Sequence, residues 1–303
     1  MRIGEHIISR LREHSAPLRC WRLTAETDEE AIALARKLIA LLPANNMADA
    51  EDFSADDVNR ELADLNGIQS LDDVRDLFTR VADGADVLEL GADFAPSMVT
   101  ALARIGGTTV GLVGNQSGKD EGRLTVYGCK KAARFVAFCD CFSIPVITAV
   151  DTMGMKVSTA PQGELARAGA QLMFAYAEAT TARIALITGN AVGMGYAALA
   201  SRAAADVVYA WPGACVSAVT PKIAVQLSCE DELKTADDPI TKRAELEQKY
   251  IEDVADGVHA AEQGYVDDVI EPALTRQMVA AALEMLSGKR ESRPAKKHGN
   301  MPL

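Results

Sequence analysis

Histidine is scarce in this sequence of 303 residues, and its four copies are His6, His14, His259 and His298. The sequence also lacks a GxSxG motif, the turn that exposes the nucleophilic serine of many hydrolases. A serine nucleophile would have to rely on His259 as its base, and no evident serine accompanies that residue. The sequence therefore argues against nucleophilic hydrolysis.

Patterns of metal ligands are missing as well. The sequence contains no HxH, HExxH or Cys/His cluster. Its six cysteines form no CxxC pair, and Cys139 and Cys141 lie two positions apart on a predicted helix, where they point in different directions. Buried free thiols are the better interpretation, and we predict no metal cofactor.

Basic residues are fewer than acidic ones: the sequence has 31 Lys and Arg and 43 Asp and Glu, which gives a formal net charge of −12. Such a field repels nucleic acid and anionic membranes, so neither is predicted as a partner. The first residues lack the apolar core of a signal peptide. The longest apolar stretch, 184–200, is interrupted by Thr, Gly and Asn and barely reaches the length of a membrane span. We expect no membrane span and a cytoplasmic location.

The chain is predicted to begin with a helical arm and an acidic connector over residues 1–70, followed by one domain over 71–303. In the arm, Thr27 and Glu30 form a capping-box pattern before apolar residues at helical spacing. Strands and helices then alternate, which is typical of an α/β fold with largely parallel strands. Strands are predicted at 87–90, 108–113, 145–150, 183–188 and 206–211, helices at 129–142, 164–180 and 274–285, and either state at 98–105.

A glycine-spaced turn is the most informative feature of the sequence. The predicted strand 183–188 leads into Gly189, Gly193 and Gly195, and a run of small residues then continues as a predicted helix to Ala203. Glycines let a ligand approach the backbone, and a helix N-terminus presents unpaired N–H groups with partial positive charge. The turn therefore fits stabilisation of an anion by main-chain donors. A tight structural turn without a ligand is the alternative.

Two further turns follow predicted strands. The segment 113–118 contains Asn115 and Gln116, which could form a second N–H cradle or the polar wall of a pocket. The segment 151–155 contains a glycine between two methionines. In parallel α/β structures ligands bind beyond the carboxyl ends of strands, so three such turns would face one cleft. Three structural loops are the alternative, and nearby Asp151 is interpreted as a cap or a surface charge.

Several segments, in order along the chain, resemble the carboxyltransferase subunits of biotin-dependent acyl-CoA carboxylases and decarboxylases. The resemblance covers roughly residues 85–303 and is nearest to the propionyl-CoA carboxylase and biotin-dependent acyl-CoA decarboxylase type. The matching segments are ALARIGGTTVGLVGNQ (101–116), ARFVAFCD (133–140), IPVIT (144–148), FAYAEAT (174–180), YAWP (209–212), GYVDDVI (264–270) and KHGNMPL (297–303).

The resemblance implies a crotonase-like fold of repeated β-β-α units. It further implies that the chain corresponds to the second, biotin-side half of the usual enzyme and the short segment before it. A separate chain would then supply the first half, which mainly holds the acyl-CoA in the family. The implied partners are an acyl-CoA, a biotin carboxyl carrier protein and this N-terminal-half chain, in an oligomer whose active site forms between subunits. Biotin on the carrier is the implied cofactor.

Carried over by position, the N–H groups of Met194 and Gly195 form the oxyanion hole for the ureido oxygen of biotin, with Gly193 shaping the turn. The family usually has Gly-Gly-Ala-Tyr here, and its Pro-Gly-Phe or Pro-Gly-Ala stands as Met153-Gly154-Met155. A Gly-Gly pair and an Arg-His-Gly run of the family have become Gly163-Glu164 and Arg167-Ala168-Gly169. The residues expected to contact substrate are Asn115, Gln116, Met153, Gly154, Met155, Tyr196 and Ala197.

Other functions stay open at this point. A non-catalytic half-subunit that scaffolds an active partner is favoured by the methionine at position 194. A crotonase-type hydratase or isomerase would need a carboxylate in the pocket, and Glu164 is the candidate. A Clp-type peptidase is disfavoured by the shortage of His and Ser partners. The sequence leaves open the acyl group, the stoichiometry, and whether carboxylation or decarboxylation occurs.

Overall fold

The computed structural model describes residues 23–43, 56–68, 71–157, 162–235, 238–291 and 299–302. Predictions for residues 1–22, most of the acidic connector and most of the C-terminal tail lie outside this description. The helices are α1 (Asp28–Leu41), α2 (Val74–Val81), α3 (Val126–Cys141), α4 (Gln162–Glu178), α5 (Met194–Leu199), α6 (Pro221–Ser228), α7 (Glu230–Thr235), α8 (Pro239–Tyr250), α9 (Gly257–Glu262) and α10 (Thr275–Leu286).

The strands form one sheet whose order is β1-β2-β3-β4-β5-β6-β8, with β7 paired to the far end of β5. The pairs β1–β2 and β2–β3 are antiparallel, and the pairs from β3 onward are parallel. The predicted α/β rhythm is thus present. The strands are β1 (Val87–Glu89), β2 (Met98–Ile105), β3 (Thr108–Asn115), β4 (Val146–Thr152), β5 (Arg183–Val192), β6 (Val207–Ala210), β7 (Cys215–Ser217) and β8 (Asp268–Val269).

Helices cover both faces of the sheet. One core contains Phe135 of α3, Tyr176 of α4 and Leu199 of α5. The other contains Phe78 of α2 and Leu283 of α10. All residues of β4 are buried, and so are most of those of β5, because parallel strands covered on both sides face apolar side chains in both directions. These two central strands are therefore rigid supports for the loops at their ends.

The N-cap of the predicted capping box is present in α1. Thr27 is the N-cap, and its Oγ1 accepts the Glu30 backbone N–H at 3.1 Å. The Glu30 carboxylate in turn accepts the backbone N–H of Glu26 at 2.8 Å. The bond from Thr27 satisfies the Glu30 amide, which the helix leaves unpaired, whereas the Glu30 carboxylate binds the residue before the N-cap instead of the N-cap amide of a standard capping box.

Two boundaries near the glycine turn differ from the prediction. Strand β5 does not end at Thr188 but continues to Val192, and α5 ends at Leu199 instead of Ala203. The extension arises because Asn190, Ala191 and Val192 pair with β7, a strand that local periodicity does not predict. The turn proper is therefore a single residue, Gly193.

The segment before residue 71 packs against the end of the chain. Leu62 and Leu65 are fully buried in the core beside α2 and α10, and the Leu62 N–H donates to Ala273 O at 2.9 Å. Arg276 of α10 has no exposed surface, and its guanidinium lies 2.7 Å from the Asp83 carboxylate. Residues 56–68 therefore share a core with the predicted second domain, while the boundary at residue 70 stays a prediction.

A charged cluster lies at the amino end of β5, far from the glycine turn that follows its carboxyl end. The Asp206 carboxylate lies 2.9 Å from both the Arg183 guanidinium and the Lys289 ammonium. Burial by itself would raise the pKa of Asp206, but the hydrogen bonds from Arg183 and Lys289 outweigh it, so the pKa lies below its ordinary value of 3.8. The cluster fastens the residues after α10 to the start of the central strands.

Candidate active site

The carboxyl ends of β3, β4 and β5 bring the three predicted turns together at one edge of the sheet. These strands are neighbours and parallel, so Asn115, Thr152 and Val192, their last residues, lie along the same edge. The three turns thus lie along one edge, as expected, and a cleft that they share stays a prediction. This arrangement places main-chain and side-chain polar groups of three loops in one neighbourhood.

Gly193 has a backbone conformation that only glycine adopts easily, with φ 53° and ψ −124°. A Cβ added at this position would lie 3.0 Å from the carbonyl oxygen of Ala218. The Gly193 N–H donates to Ser217 O at 2.8 Å, which closes the β5–β7 ladder. The chain therefore reverses sharply at this residue, and α5 begins immediately after it.

Met194 and Gly195 supply the first two N–H groups of α5. A helix leaves its first N–H groups without an intrahelical acceptor, and within the described part of the chain neither of these two has an acceptor elsewhere. Both groups lie at the partially positive end of the helix. The Met194 side chain is 46 % exposed, so it lies at the surface instead of in the core. Two free donors on consecutive residues can bind one negatively charged oxygen.

Gly195 lies directly against the end of β4. A Cβ on Gly195 would come within 2.4 Å of Thr152 Cγ2. The Thr152 hydroxyl is 3.1 Å from both the N–H and the carbonyl oxygen of Gly154, so it holds its own turn in shape. Gly154 has a φ of 99°, and its carbonyl oxygen accepts the Leu124 N–H at 2.8 Å. The turn at Gly193, Met194 and Gly195, called the oxyanion turn after its predicted role, thus packs on a second ordered turn.

The two methionines beside Gly154 lie on this second turn. Met153 is half-buried, and its N–H donates to Glu121 O at 3.3 Å. Met155 packs against the core formed with α3 and α4, and its Cε would be 2.7 Å from a Cβ on Gly169. Met155 therefore fills the space between the turn and α4, and contact of either methionine with substrate stays a prediction.

Asn115 and Gln116 are both buried, and their side-chain amides are occupied within the protein. The Asn115 carboxamide accepts the Asp151 N–H at 3.0 Å and donates to the carbonyl oxygens of Asp151 and Gly122. Gln116 accepts the N–H of Val74, the first residue of α2, at 3.2 Å and donates to the Asp73 carboxylate at 2.7 Å. These bonds fix the loop after β3, and a role in binding substrate stays a prediction for both.

Tyr196 and Ala197 continue α5 beyond the two free donors. The Tyr196 hydroxyl donates to Tyr265 O at 3.0 Å, and the two rings meet edge to face with centroids 6.1 Å apart. Burial raises the pKa of Tyr196, so the phenol stays protonated at neutral pH. The Ala197 N–H donates to Gly193 O at 3.0 Å and closes the first helical turn. Both residues are half-buried at the site predicted for them, and their contact with substrate stays a prediction.

Asp151 is a buried residue of the site that the sequence interpretation missed. The sequence interpretation was a cap or a surface charge, and an exposure of 8 % excludes only the surface charge. Its carboxylate accepts the backbone N–H of Asn190 at 2.7 Å and the Asn190 side-chain amide at 3.1 Å. The available signal was Gly189, where a Cβ would lie 2.5 Å from the carboxyl carbon of Asp151.

Within the described residues, no group of three or more His, Cys, Asp or Glu side chains is arranged to hold a metal ion. The same part of the chain contains no helix that combines the length and apolar character needed to cross a bilayer.

The sheet with helices on both faces is the crotonase-like α/β fold of carboxyltransferases. Residues 11–301 match the family model described as "Carboxyl transferase domain", and the chain belongs to this family.

The crystal structure of transcarboxylase 12S with methylmalonyl-coenzyme A bound has a TM-score of 0.86 and 40% identity to this chain. That match covers 93% of this chain and 56% of the solved one. A single-chain, multi-domain long-chain acyl-CoA carboxylase has a TM-score of 0.72 at 25% identity, covering 86% of this chain and 26% of the other. The predicted fold and family are confirmed.

Two curated relatives agree with this placement. The methylmalonyl-CoA carboxyltransferase 12S subunit of Propionibacterium freudenreichii subsp. shermanii is 40% identical over 286 residues, which are 92% of this chain and 54% of the relative. The alpha subunit of methylmalonyl-CoA decarboxylase from Propionigenium modestum is 36% identical over 298 residues, or 96% of this chain and 58% of the relative. The chain thus spans about half the length of the curated relatives it matches.

Proposed function

We propose that this chain is the biotin-side half of a biotin-dependent carboxyltransferase, which moves CO2 between carboxybiotin on a carrier protein and an acyl-CoA. A second chain supplies the half that mainly holds the acyl-CoA. Family membership and the names of the relatives support the reaction class. The match covers about half of each relative, and in the proposal the second chain supplies the other half.

The observation that supports the chemistry is the pair of N–H groups on Met194 and Gly195, neither of which has an acceptor among the described residues. Biotin, when bound, would supply the carboxyl group and a ureido oxygen able to carry negative charge. Two fixed donors at the start of α5 stabilise charge on such an oxygen without reorganising. Losing one donor of this kind slows a reaction by about 100- to 1,000-fold. The donor set therefore fits the group.

The supports of these donors are Thr152, Gly154 and Gly193, and none of these has a side chain that titrates near neutral pH. In the proposal the chain binds and orients the oxygen at this turn and leaves proton transfer to the bound reactants. Glu164, the carboxylate that a hydratase would require, is 41% exposed and forms an ion pair with Lys130 at 3.2 Å. Charge stabilisation is therefore favoured over hydration of a double bond.

The test is carboxyl exchange in a complex of this chain with a chain resembling the missing half and a biotinylated carrier. Gly195→Pro removes one donor, and we expect exchange to fall at least about 100-fold. Because any side chain at this position meets Thr152, both Gly195→Pro and Gly195→Ala are placed in a Thr152→Ser background. The alanine variant keeps the N–H and is expected to retain exchange.

A matched control is Val258→Pro, which changes the second residue of α9, another helix of six residues. Its activity is expected to equal that of the unmodified chain. Equal exchange by the proline and alanine variants at position 195 would refute the oxyanion role. A stable complex that shows no exchange with any acyl-CoA would instead favour the scaffold function.

A further inference from the structure

Strand β5 bulges against β4 immediately before the oxyanion turn. Val150 pairs with Ile187, but the next pair is Thr152 with Ala191, so one residue of β4 faces three residues of β5. Bulges of this kind bend a strand and re-aim the residues that follow it. A bulge leaves ladder groups unpaired, so another part of the protein has to hold it in one shape.

The Asp151 carboxylate occupies the position opposite this bulge. It accepts both the main-chain and the side-chain N–H of Asn190, at 2.7 and 3.1 Å. Gly189 has no side chain, and this absence provides the space for the carboxylate, since a Cβ there would lie 2.5 to 2.7 Å from its three terminal atoms. The buried carboxylate therefore replaces the missing ladder bonds.

Asp151 is itself held from the other side. Its backbone N–H donates to the Asn115 carboxamide at 3.0 Å, and its carbonyl oxygen accepts from the same carboxamide. The β3–β4 pairing has ended at Gly114 and Ala149, so the Asn115 side chain continues the connection between these strands. A line of side-chain bonds thus crosses the ends of β3, β4 and β5.

The position of the oxyanion turn depends on this line. Only Ala191 and Val192 separate Asn190 from Gly193, and Thr152, the neighbour of Asp151, contacts Gly195 directly. We propose that Asp151 is a positioning residue, whose carboxylate holds the β5 bulge so that the N–H groups of Met194 and Gly195 face the reacting oxygen. This inference rests on the proposed function for its activity readout only.

The structural half of the test needs no activity. In the full chain, deuterium uptake is measured in peptides covering residues 188–193, with peptides of 183–187 as the internal reference. Asp151→Ala is expected to speed exchange in 188–193 because the Asn190 N–H loses its acceptor. Asp151→Asn keeps an oxygen at Oδ1 and is expected to preserve protection. Unchanged uptake in Asp151→Ala overturns the proposal whether or not the chain is active.

The kinetic half uses the reconstituted complex. Displacing aligned groups by about 1 Å lowers rates about 100-fold, so kcat of Asp151→Ala should fall by about that factor. The KM for acyl-CoA should stay within about twofold, because the partner half holds that substrate. In Gly189→Ala the new Cβ displaces the Asp151 carboxylate, so kcat should fall by a similar factor. The double variant Asp151→Ala with Gly189→Ala should be no slower than either single variant. Asp151→Asn should recover most of kcat.

Asp140→Ala is the matched control, since the Asp140 carboxylate accepts the N–H groups of Thr180 and Thr181 at the opposite end of β5, at 2.7 and 3.2 Å. Its loss of stability should resemble that of Asp151→Ala, with kcat unchanged. The positioning role would be overturned if Asp140→Ala and Asp151→Ala lost kcat equally. It would also be overturned if Asp151→Ala kept a normal kcat although its amides in 188–193 exchanged faster. If the unmodified complex shows no exchange, the proposed function fails, and deuterium uptake alone decides the role of Asp151 in holding the bulge.

Discussion

The contact between Gly195 and Thr152 predicts the result of a double-mutant cycle on stability. In Gly195→Ala the new Cβ would lie 2.4 Å from Thr152 Cγ2, whereas carbon atoms in favourable contact are about 3.5–4.0 Å apart. One of the two turns must therefore move by about 1 Å. Overpacking of this kind costs about 1–3 kcal/mol, offset by about 0.5–1 kcal/mol because alanine favours the helix. We expect a net loss of about 1 kcal/mol, the difference between the midpoints of these two ranges.

Thr152→Ser removes the methyl group that Gly195→Ala would meet and keeps the hydroxyl that bonds Gly154. The nearest remaining atoms are then Thr152 Oγ1 at 3.3 Å and Gly154 Cα at 3.4 Å, which small shifts accommodate. In this background Gly195→Ala should be neutral or stabilise by up to about 0.5 kcal/mol. The coupling energy between the two substitutions is therefore about 1–1.5 kcal/mol.

Urea unfolding of the four variants, followed by far-ultraviolet circular dichroism, measures this coupling from the midpoints at a shared m-value. The assay needs neither partner chain nor substrate, so it tests the packing of the turn separately from its chemistry. An equal loss of stability from Gly195→Ala in both backgrounds would refute the direct contact. A changed m-value would indicate a different native or unfolded state and is checked in each variant.

Two further predictions concern charged groups away from the turn. Arg276→Met leaves a buried carboxylate partner uncompensated and should lower the free energy of unfolding by about 3–5 kcal/mol, whereas the exposed Arg202→Ala should change it by no more than about 1 kcal/mol in the same urea assay. Because the folded-state pKa of Asp206 is depressed, its stabilising contribution is present above pH 3.8, the ordinary value, and is lost as pH falls through the lower folded value. The stability difference between the unmodified chain and Asp206→Asn should therefore shrink below pH 3.8, and a constant difference down to acid unfolding would contradict this.

The sequence predicted those parts of the fold that depend on local pattern. Alternating apolar strands and helices indicated the α/β class, and the N-cap at Thr27 needs only residues three positions apart. Gly193 was recognisable because its neighbours already indicated a strand followed by a helix. Each of these signals is contained in a short window, where propensity and spacing determine the conformation.

The bulge in β5 and the burial of Asp151 could not be predicted in this way. Both depend on β7, which pairs with Asn190 from 25 positions further along the chain, and on Asn115, which reaches Asp151 across 36 positions. From sequence alone, an aspartate at the end of a strand is interpreted as a cap or a surface charge, because its distant neighbours are unknown. The same holds for Gln116, whose amide bonds the start of α2 across 42 positions of sequence. The burial and the hydrogen-bond partners of these residues depend on tertiary contacts and not on local conformational preference.

The packing of residues 56–68 on α10 constrains the order in which the chain folds. Arg276 donates to the carbonyl oxygen of Asp57, a residue 219 positions earlier. During synthesis the apolar surface beside α2 stays exposed until α10 has emerged from the ribosome and can bury it. Contacts of such long sequence separation slow folding and lengthen the exposure of unpaired apolar surface. Nascent chains that end before α10 are therefore expected to be substrates for chaperones, although the edge with the oxyanion turn is already encoded in them.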